Sequence, residues 1–370
     1  MLRVKPTLLA VALAAAPSVQ ASDIQINGFM NVIAGVSSND EIDVSGYDES
    51  ISYTQDSLMG LQFHKRVNDS TSATVQLVAR GLEGFNAEAA WAYVTYEVDD
   101  NTDIRMGRFR TPLYHYSDFL EVGYAYNWVK PSSLLYVQSE LSSMNGADIT
   151  RRFTVGGNDA SVQAYVARFG GDIMLGPDSY EMNLKDSVGL VFNIATGDFS
   201  TRLSVHKASL SIDVDPAGDR GLDHYLAGAI FLGFGDEYTV DDLETYYYQT
   251  SLTYDNGSTS AIAEWTYLTS DSALLNDTTS YMVGAAQRFG EATTVHLTYA
   301  AKEDVLESGA VGQLQKGGEN KESSIILGVR YDYDTSTALK LEAEHNDEEI
   351  AVGADGESGM LYRVGVNLVF

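Results

Sequence analysis

The chain has no cysteine and only 6 prolines among its 370 residues. The absence of thiols excludes disulfides, thiolate catalysis and cysteine-bound metals, and the scarcity of proline suits a protein rich in hydrogen-bonded strands. Beyond residue 21 no apolar run reaches the roughly 18 residues of a membrane helix, so none is predicted. Positive charge is scarce too: 23 Lys and Arg face 52 Asp and Glu, a balance that repels nucleic acid and attracts cations.

Common enzyme motifs are also missing, since the sequence has no Gly-x-Ser-x-Gly, no P-loop and no dinucleotide fingerprint. The histidines do not pair at metal-ligand spacing; they stand at positions 64, 115, 206, 224, 296 and 345. No enzyme and no cofactor is therefore predicted. Acidic clusters at 213–219, 236–237, 241–242 and 347–349 could bind Ca²⁺ or Mg²⁺ loosely, but none follows the EF-hand pattern, and solvated loop charge is the simpler interpretation.

The first 21 residues have the pattern of a cleaved Sec signal peptide. Arg3 and Lys5 form a basic start, residues 8–16 form a short apolar core, and small residues precede a cleavage point after Ala21. We expect residues 1–21 to be removed and 22–370 to form one domain. Loss of the two basic residues changes the net charge from −29 to −31.

The last nine residues alternate with a period of two. Such alternation places one face of a strand in an apolar medium and the other in a polar one. The apolar residues are Tyr362, Val364, Val366, Leu368 and Phe370. Between them lie Arg363, Gly365 and Asn367. A terminal edge strand of a soluble sheet is one reading, but a strand that ends on an aromatic residue favours an outer-membrane β-barrel.

Turn signals divide the mature chain into sixteen strands. Short polar turns are predicted at 68–70, 99–101, 156–159, 196–198, 255–257, 290–291 and 334–335. Longer loops alternate with them, at about 37–55, 81–86, 110–145, 170–182, 211–243, 271–277, 304–320 and 347–357. The pattern predicts an all-β, antiparallel, closed transmembrane barrel, because lipid cannot satisfy an open sheet edge. Residues 226–234 are apolar enough for a strand, which would give eighteen; we interpret them as part of a long fifth loop.

The predicted strands carry polar side chains on one face, which indicates a wet interior. Val295, Leu297 and Tyr299 alternate with Thr294, His296 and Thr298, for example. A barrel of sixteen strands is too wide for side chains to fill and leaves an aqueous channel. The residues predicted to line it are Gln76, His296, Arg330, Lys340, Glu342 and Arg363.

The third loop, about 110–145, is long and rich in aromatic residues, with five Tyr and Trp128. Long aromatic loops are ordered and usually functional. Its position after the fifth strand, the Gly107-Arg108 pair before it and the terminal Phe370 resemble trimeric Gram-negative porins, whose third loop folds into the barrel. The resemblance covers the whole mature chain in layout. The Pro-Glu-Phe-Gly-Gly stretch of enteric porins is missing, so the chain resembles a divergent branch.

The resemblance implies a constriction where loop acids face wall arginines, and this transverse field sorts solutes by charge and size. The acids would be Asp118 and Glu121. The wall residues would be Arg80, which has the right strand phase, Arg151 and Arg152, which would open the next strand, and Arg108 and Arg110 at the loop root. Each arginine could instead form a structural ion pair or contact lipopolysaccharide. The resemblance further implies a homotrimer in outer-membrane lipid and insertion by the barrel-assembly machinery, which would read Tyr362 and Phe370.

Passive diffusion of ions and small hydrophilic solutes, with a preference for cations, is the predicted function. A channel specific for a sugar or another small nutrient, with the Tyr-rich third loop as its binding surface, is the alternative. A barrel enzyme and an adhesin are remoter alternatives, because the sequence offers no catalytic set and no additional domain.

Overall fold

The computed structural model describes residues 24–38, 46–136, 143–175, 178–316, 319–350 and 357–370. The predicted signal peptide lies outside these residues. The described chain forms a closed barrel of sixteen antiparallel strands, each paired with its neighbours in sequence. The strands are β1 (Ile24–Ser37), β2 (Leu58–Asn68), β3 (Thr71–Arg80), β4 (Ala87–Asp99), β5 (Thr102–Arg110), β6 (Ser143–Val155), β7 (Asn158–Leu175), β8 (Asp178–Thr196), β9 (Phe199–Ile212), β10 (Leu243–Asp255), β11 (Thr259–Ser270), β12 (Asp277–Phe289), β13 (Thr293–Val305), β14 (Asn320–Asp332), β15 (Thr337–Ile350) and β16 (Glu357–Val369).

The barrel closes where the last strand meets the first. The paired residues run from Phe29 opposite Val369 to Ser37 opposite Leu361. Beyond the strand, the backbone N–H of Gly28 donates to the carbonyl of Phe370 at 2.7 Å, and Phe370 N–H donates back at 2.9 Å. The predicted closed barrel is therefore confirmed, and the described strands leave no sheet edge open to lipid.

The connections that follow the even-numbered strands β2 to β14 lie at one end of the barrel, here called the turn end, and they fall at the seven predicted turns. The connections that follow the odd-numbered strands lie at the other end, the loop end, and are named L1 to L8 in chain order. Those used below are L1 (38–57), L3 (111–142), L5 (213–242), L6 (271–276) and L7 (306–319).

The predicted loop at 170–182 is wrong, and the predicted loop at 347–357 begins too early, since β15 continues to Ile350. Residues 170–182 belong mostly to strands, since β7 continues to Leu175 and β8 begins at Asp178. The strands extend because their inner faces are apolar there: Ile173, Tyr180 and Met182 pack in one buried cluster with residues of β9 and L5. Burial of that cluster favours paired strands over an irregular loop.

The apolar stretch in L5 is helical. Helix α1 (Gly221–Leu232) begins where the Asp223 carboxylate accepts the Arg220 backbone N–H at 3.2 Å, and it ends at Gly233, whose φ of 87° is left-handed. Residues 226–234 therefore add no strand, and the count is sixteen. A second helix, α2 (Gly309–Gln315), lies in L7. No helix in the described residues is long and apolar enough to cross a membrane.

The strands have the predicted two faces. On β13, Leu297 is 56% exposed on the outer surface, whereas His296 is 2% exposed on the inner one. On β16, Val364 points outwards and Arg363 and Asn367 point inwards. Apolar side chains thus cover the outside of the wall, and polar ones fill its inner face.

Candidate functional site: the third loop inside the barrel

L3 folds into the barrel, and cationic side chains of the wall bind its backbone. Arg330 of β14 donates to the carbonyls of Tyr124 at 2.7 Å and Tyr126 at 2.8 Å. Lys340 of β15 donates to the carbonyls of Gly123 and Trp128. From another part of the wall, Arg202 of β9 donates to the carbonyl of Pro112.

Gly123 allows the loop to touch the seam between β1 and β16. A Cβ on this residue would lie 2.2 Å from Asn367 Nδ2 and 2.6 Å from Asn31 Oδ1. Asn31 Nδ2 donates to the Glu121 carbonyl at 2.9 Å, and Asn367 Nδ2 donates to Asn31 Oδ1 at 2.8 Å. No residue larger than glycine fits at this contact unless the two amides move.

Glu121 forms a buried ion-pair cluster with two wall arginines. Arg80 of β3 donates from Nε to Glu121 Oε1 at 2.8 Å, and Arg110 at the end of β5 pairs with Oε2. Burial disfavours the carboxylate, but the charges of Arg110 and Arg80 outweigh this effect and hold the pKa of Glu121 below its usual value. The cluster joins the loop to the wall and leaves little of the Glu121 charge for the lumen.

Aromatic residues of L3 pack against the wall from β10 to β14. Tyr114 and Tyr136 lie with ring centroids 4.6 Å apart, and Tyr247 of β10 meets Tyr114 edge-on at 5.9 Å. Trp128 Nε1 donates to Thr298 Oγ1 at 2.8 Å. Together with Leu134, Leu135 and Met282, among others, these side chains form one buried cluster on this side of the lumen.

Glu264 of β11 is a polar anchor within that cluster. Its carboxylate accepts the Tyr136 hydroxyl at 2.7 Å, the His115 backbone N–H at 2.7 Å and Gln249 Nε2 at 2.8 Å. His115 itself meets Ser251 Oγ through Nδ1 at 3.1 Å. Burial, then the charge of Arg202, lower the pKa of His115 to about 4, so this ring is neutral at physiological pH.

L1 is linked to L3 by a buried charge cluster. Asp56 accepts Lys130 Nζ at 3.1 Å and lies 3.4 Å from Arg363 Nη1, and Arg363 Nη2 reaches Glu344 at 2.7 Å. Burial opposes ionisation of Asp56, but Lys130 and Arg363 outweigh it and lower its pKa. The first and third loops are thus fixed to each other and to β15 and β16.

The residues predicted to line the lumen face inwards, but most are covered. Lys340, Glu342 and Arg363 lie beneath L3, where Glu342 Oε2 accepts the Val129 N–H at 2.9 Å. The other three, Gln76, His296 and Arg330, also have low exposure. Gln76 donates a hydrogen bond to Gln62, His296 packs on Trp128, and Arg330 pairs with Asp332. The alternation of the sequence assigns these residues to the inner face of the wall, where the structure places them. L3 packs on most of them there, whereas the sequence predicts water.

The constriction acids separate into two roles. Glu121 is buried in its arginine cluster, whereas Asp118 is exposed and, within the described residues, makes no hydrogen bond or ion pair. Asp118 lies within electrostatic reach of Arg105 on β5 and Arg202 on β9. Arg105 in turn pairs with Asp148 of β6 at 3.0 Å.

The sequence reasoning did not select Arg105 and Arg202. A signal was present, because each alternates with lipid-facing neighbours: Met106 beside Arg105, and Leu203 beside Arg202, are outwardly exposed. The inner-face phase used for Arg80 applies equally to them.

The structure brings Arg80 and Arg110 to Glu121 but places the remaining arginines elsewhere. Arg151 and Arg152 do not open the strand after the loop, since β6 begins at Ser143; they pair with Asp99 and Asp103 near the turn end. Arg108 follows Gly107, where φ is 135° and a Cβ would lie 2.3 Å from the Ala92 carbonyl. Arg108 is half-buried, and its Nε has no partner in the described part of the chain.

The acidic clusters do not converge on a metal site: among the described residues no group of three His, Asp or Glu side chains is placed to hold an ion. Asp347, Glu348 and Glu349, predicted in a loop, lie in β15. At the C-terminus, Tyr362 and Phe370 are exposed on the outer surface, and the Phe370 ring lies over Gly28.

A closed sixteen-stranded wall with a long loop bound inside it is the architecture of an outer-membrane channel protein. Residues 7–351 match the sequence profile of the Gram-negative porin family, and the chain belongs to that family. This membership places the protein in the outer membrane of a Gram-negative bacterium. A search of curated proteins finds no match to the chain.

Solved structures share the fold at low sequence identity. The outer membrane channel DcaP of Acinetobacter baumannii has a TM-score of 0.64 and 13% identity, covering 94% of this chain and 97% of its own. An anion-selective porin from Comamonas acidovorans has a TM-score of 0.58 and 17% identity, covering 94% and 99%. The trimer form of OmpT, an outer membrane protein of Vibrio cholerae, has a TM-score of 0.55 and 12% identity, covering 94% and 99%.

Proposed function

We propose that the protein is a passive diffusion channel for ions and small hydrophilic solutes, and that it prefers cations. The loop end faces the outside and the turn end faces the periplasm, as the even strand number and short turns favour. Transport, and not catalysis, is the proposed activity. Solutes pass between L3 and the wall of β5 to β9, where Asp118 and Arg105 are accessible.

The exposed Asp118 carboxylate carries the proposal of cation preference. Of the two cations within electrostatic reach of Asp118, Arg105 already pairs with Asp148, and Arg202 is buried and donates to the Pro112 carbonyl. Asp118 is therefore the exposed charge at the proposed passage. The charge of the whole chain, −29, has the same sign. A cation attracted by one carboxylate at 4 Å in water gains about 1 kcal/mol, which corresponds to roughly fivefold enrichment.

Reversal potentials in planar bilayers under a KCl gradient test this proposal. We expect the wild type to favour K⁺, and Asp118→Asn to lower the K⁺/Cl⁻ permeability ratio by up to about fivefold. Asp100→Asn removes the same charge from an exposed position at the turn end and serves as the control. Anion preference of the wild type, or equal ratios for the two variants, would contradict the proposal.

A homotrimer embedded in outer-membrane lipid and lipopolysaccharide is the proposed assembly, inserted by the barrel-assembly machinery through the strand that ends at Phe370. The trimer form of OmpT supports it by similarity of fold. Three equal closing steps in single-channel records are expected. Single-step closure in every record would argue for a monomer.

A solute-specific channel is the second candidate. The observation in its favour is the packed aromatic surface of L3, with Tyr114, Tyr116 and Trp128 in ring contacts. Saturable block of the ion current by a solute distinguishes it from a general diffusion pore.

A further inference from the structure

The inner face of the wall changes from polar to apolar above L3. On β9 the inward residues Arg202, Ser204 and His206 are polar, but Leu210 and Ile212, nearest the loop end, are apolar. The loop ends of β7 and β8 repeat the change, with Ile173, Met182 and Leu184 facing inwards. These residues pack on one another and on L5, but where they border open space their apolar surface does not stabilise hydrated ions.

These residues border a cavity that protein atoms leave open. Its volume is about 440 Å³, within the range of sites for small organic ligands. Tyr114, Leu135 and Tyr247 form its floor, and Leu274 and Leu275 of L6 form part of its side. We call this cavity the vestibule. Its floor is the aromatic cluster that holds L3, so a solute from the loop end meets the vestibule before the constriction.

One side of the vestibule is polar and negatively charged. Lys302 and Asp304 of β13 line it; Lys207 of β9 also lines the cavity, and Glu244 pairs with its charge. Glu322 pairs with Lys302 at 2.9 Å, and Glu348 of β15 lies within electrostatic reach of the same lysine. Three carboxylates thus stand near one ammonium group, and the balance favours a positively charged head group on any ligand.

We propose that the vestibule is a binding site for small amphipathic cations, molecules with an aromatic or branched apolar body and one amine. The body lies against Leu210, Ile212 and Leu275, and the amine faces the carboxylates beside Lys302. The inference deepens the proposed function, since the vestibule would then be the entrance of the channel. Binding itself requires no conduction, so the two can fail separately.

Equilibrium binding of 1-naphthylmethylamine to the detergent-solubilised protein, followed by naphthyl fluorescence, tests the site. Two probes with the same ring system accompany it: the neutral 1-naphthalenemethanol and the anionic 1-naphthoate. Saturable binding in the order amine, alcohol, carboxylate is expected. Tightest binding of the carboxylate, equal binding of all three, or no saturation with any probe would overturn the proposal.

Matched variants locate the bound molecule. Leu275→Asn should weaken amine binding about tenfold, as expected when a leucine contact is lost. Leu232→Asn makes the same change on exposed α1, outside the vestibule, and should leave binding unchanged. Because both lie outside the strands, barrel formation is checked for each by the heat-dependent shift in gel mobility. Equal affinities of two folded variants would place the probe elsewhere and refute the site.

The charge requirement has its own matched pair. Glu322 faces inwards and pairs with Lys302, while Glu303 on the neighbouring strand faces outwards and pairs with Lys321 at 2.8 Å. Glu322→Gln should reduce the preference for the amine over the alcohol severalfold, and Glu303→Gln should not. An unchanged preference in Glu322→Gln would refute the role given to the acidic side.

Block of the K⁺ current links binding to transport. We expect the amine to block at lower concentration from the side of the loop end, because the aromatic floor separates the vestibule from the turn end. Saturable binding without any conductance would leave the site standing and refute the proposed channel. Conductance without saturable binding would support the proposed channel and refute the binding site.

Discussion

Replacing Glu121 by glutamine should destabilise the barrel through the buried ion-pair cluster at the root of L3. Glu121 and Arg110 are both almost fully buried, with side-chain exposures of 9% and 4%. Removing one partner of a buried ion pair costs about 3–5 kcal/mol, because the remaining charge stays buried. The low end applies here, since Arg80 retains Glu83 and Glu88 as partners and Arg110 retains the face of Trp91.

The expected loss is therefore about 3 kcal/mol in the free energy of unfolding for Glu121→Gln. Guanidinium titration of the detergent-solubilised barrel, followed by tryptophan fluorescence, measures it as a lower midpoint with an unchanged slope. Asp118→Asn, three residues earlier in the same loop, is the control, because the Asp118 side chain is exposed. We expect it to change the free energy by no more than about 0.5 kcal/mol.

The reasoning would be refuted if both variants unfolded at the same denaturant concentration. It would also fail if the Glu121→Gln variant, combined with Arg110→Met, were less stable than the single variant, because removal of both charges should relieve the unpaired arginine. Single-channel current provides an independent reading: a released loop root should increase open-channel noise in Glu121→Gln but not in Asp118→Asn.

Two further predictions follow from L3. The depressed pKa of Glu121 contributes stability that is fully present above the ordinary glutamate pKa of about 4.3 and is lost as pH falls through the lower pKa of the folded state. Unfolding titrations of the wild type below about pH 4.3 should therefore show a fall in the free energy of unfolding that Glu121→Gln lacks. The same pH dependence in both proteins would contradict this prediction. Gly123→Ala should cost about 1–3 kcal/mol by overpacking against Asn31 and Asn367. Gly221→Ala at the start of α1, where the nearest atom is 3.4 Å away, is its control, and equal unfolding midpoints would argue against the close contact.

Much of the fold follows from the sequence because the membrane wall imposes a simple rule. Turn residues such as Asn256 and Gly257 mark hairpins, and alternation along β13 and β16 assigns the inner face. The alternation rule fails where the inner face is not polar or where the chain leaves the barrel wall. At Ile173 and Met182 the inner face is apolar, so strands continue through a predicted loop, and at Leu226 an apolar stretch packs as a helix over L6 and L7.

The site was less predictable, because it depends on where a long loop lies in space. Strand phase correctly placed Arg80 on the inner face, but it could not tell that Lys340 and Arg363 would be covered. Arg151 was assigned by its position after L3, and β6 begins earlier than that assignment assumed. Only the path of L3 distinguishes Asp118, which remains accessible, from Glu121, which does not.

The wall side chains Arg202, Arg330 and Lys340 donate hydrogen bonds to the main chain of L3, and Arg330 and Lys340 also lie over the rings of Tyr124 and Tyr126. Every residue type supplies a carbonyl, so substitutions on the exposed surface of the loop leave these hydrogen bonds in place. The contacts that hold the loop are buried or half-buried, whereas Asp118 is exposed to solutes. Selectivity can therefore be redesigned at Asp118 without loss of the contacts that fix the path of L3.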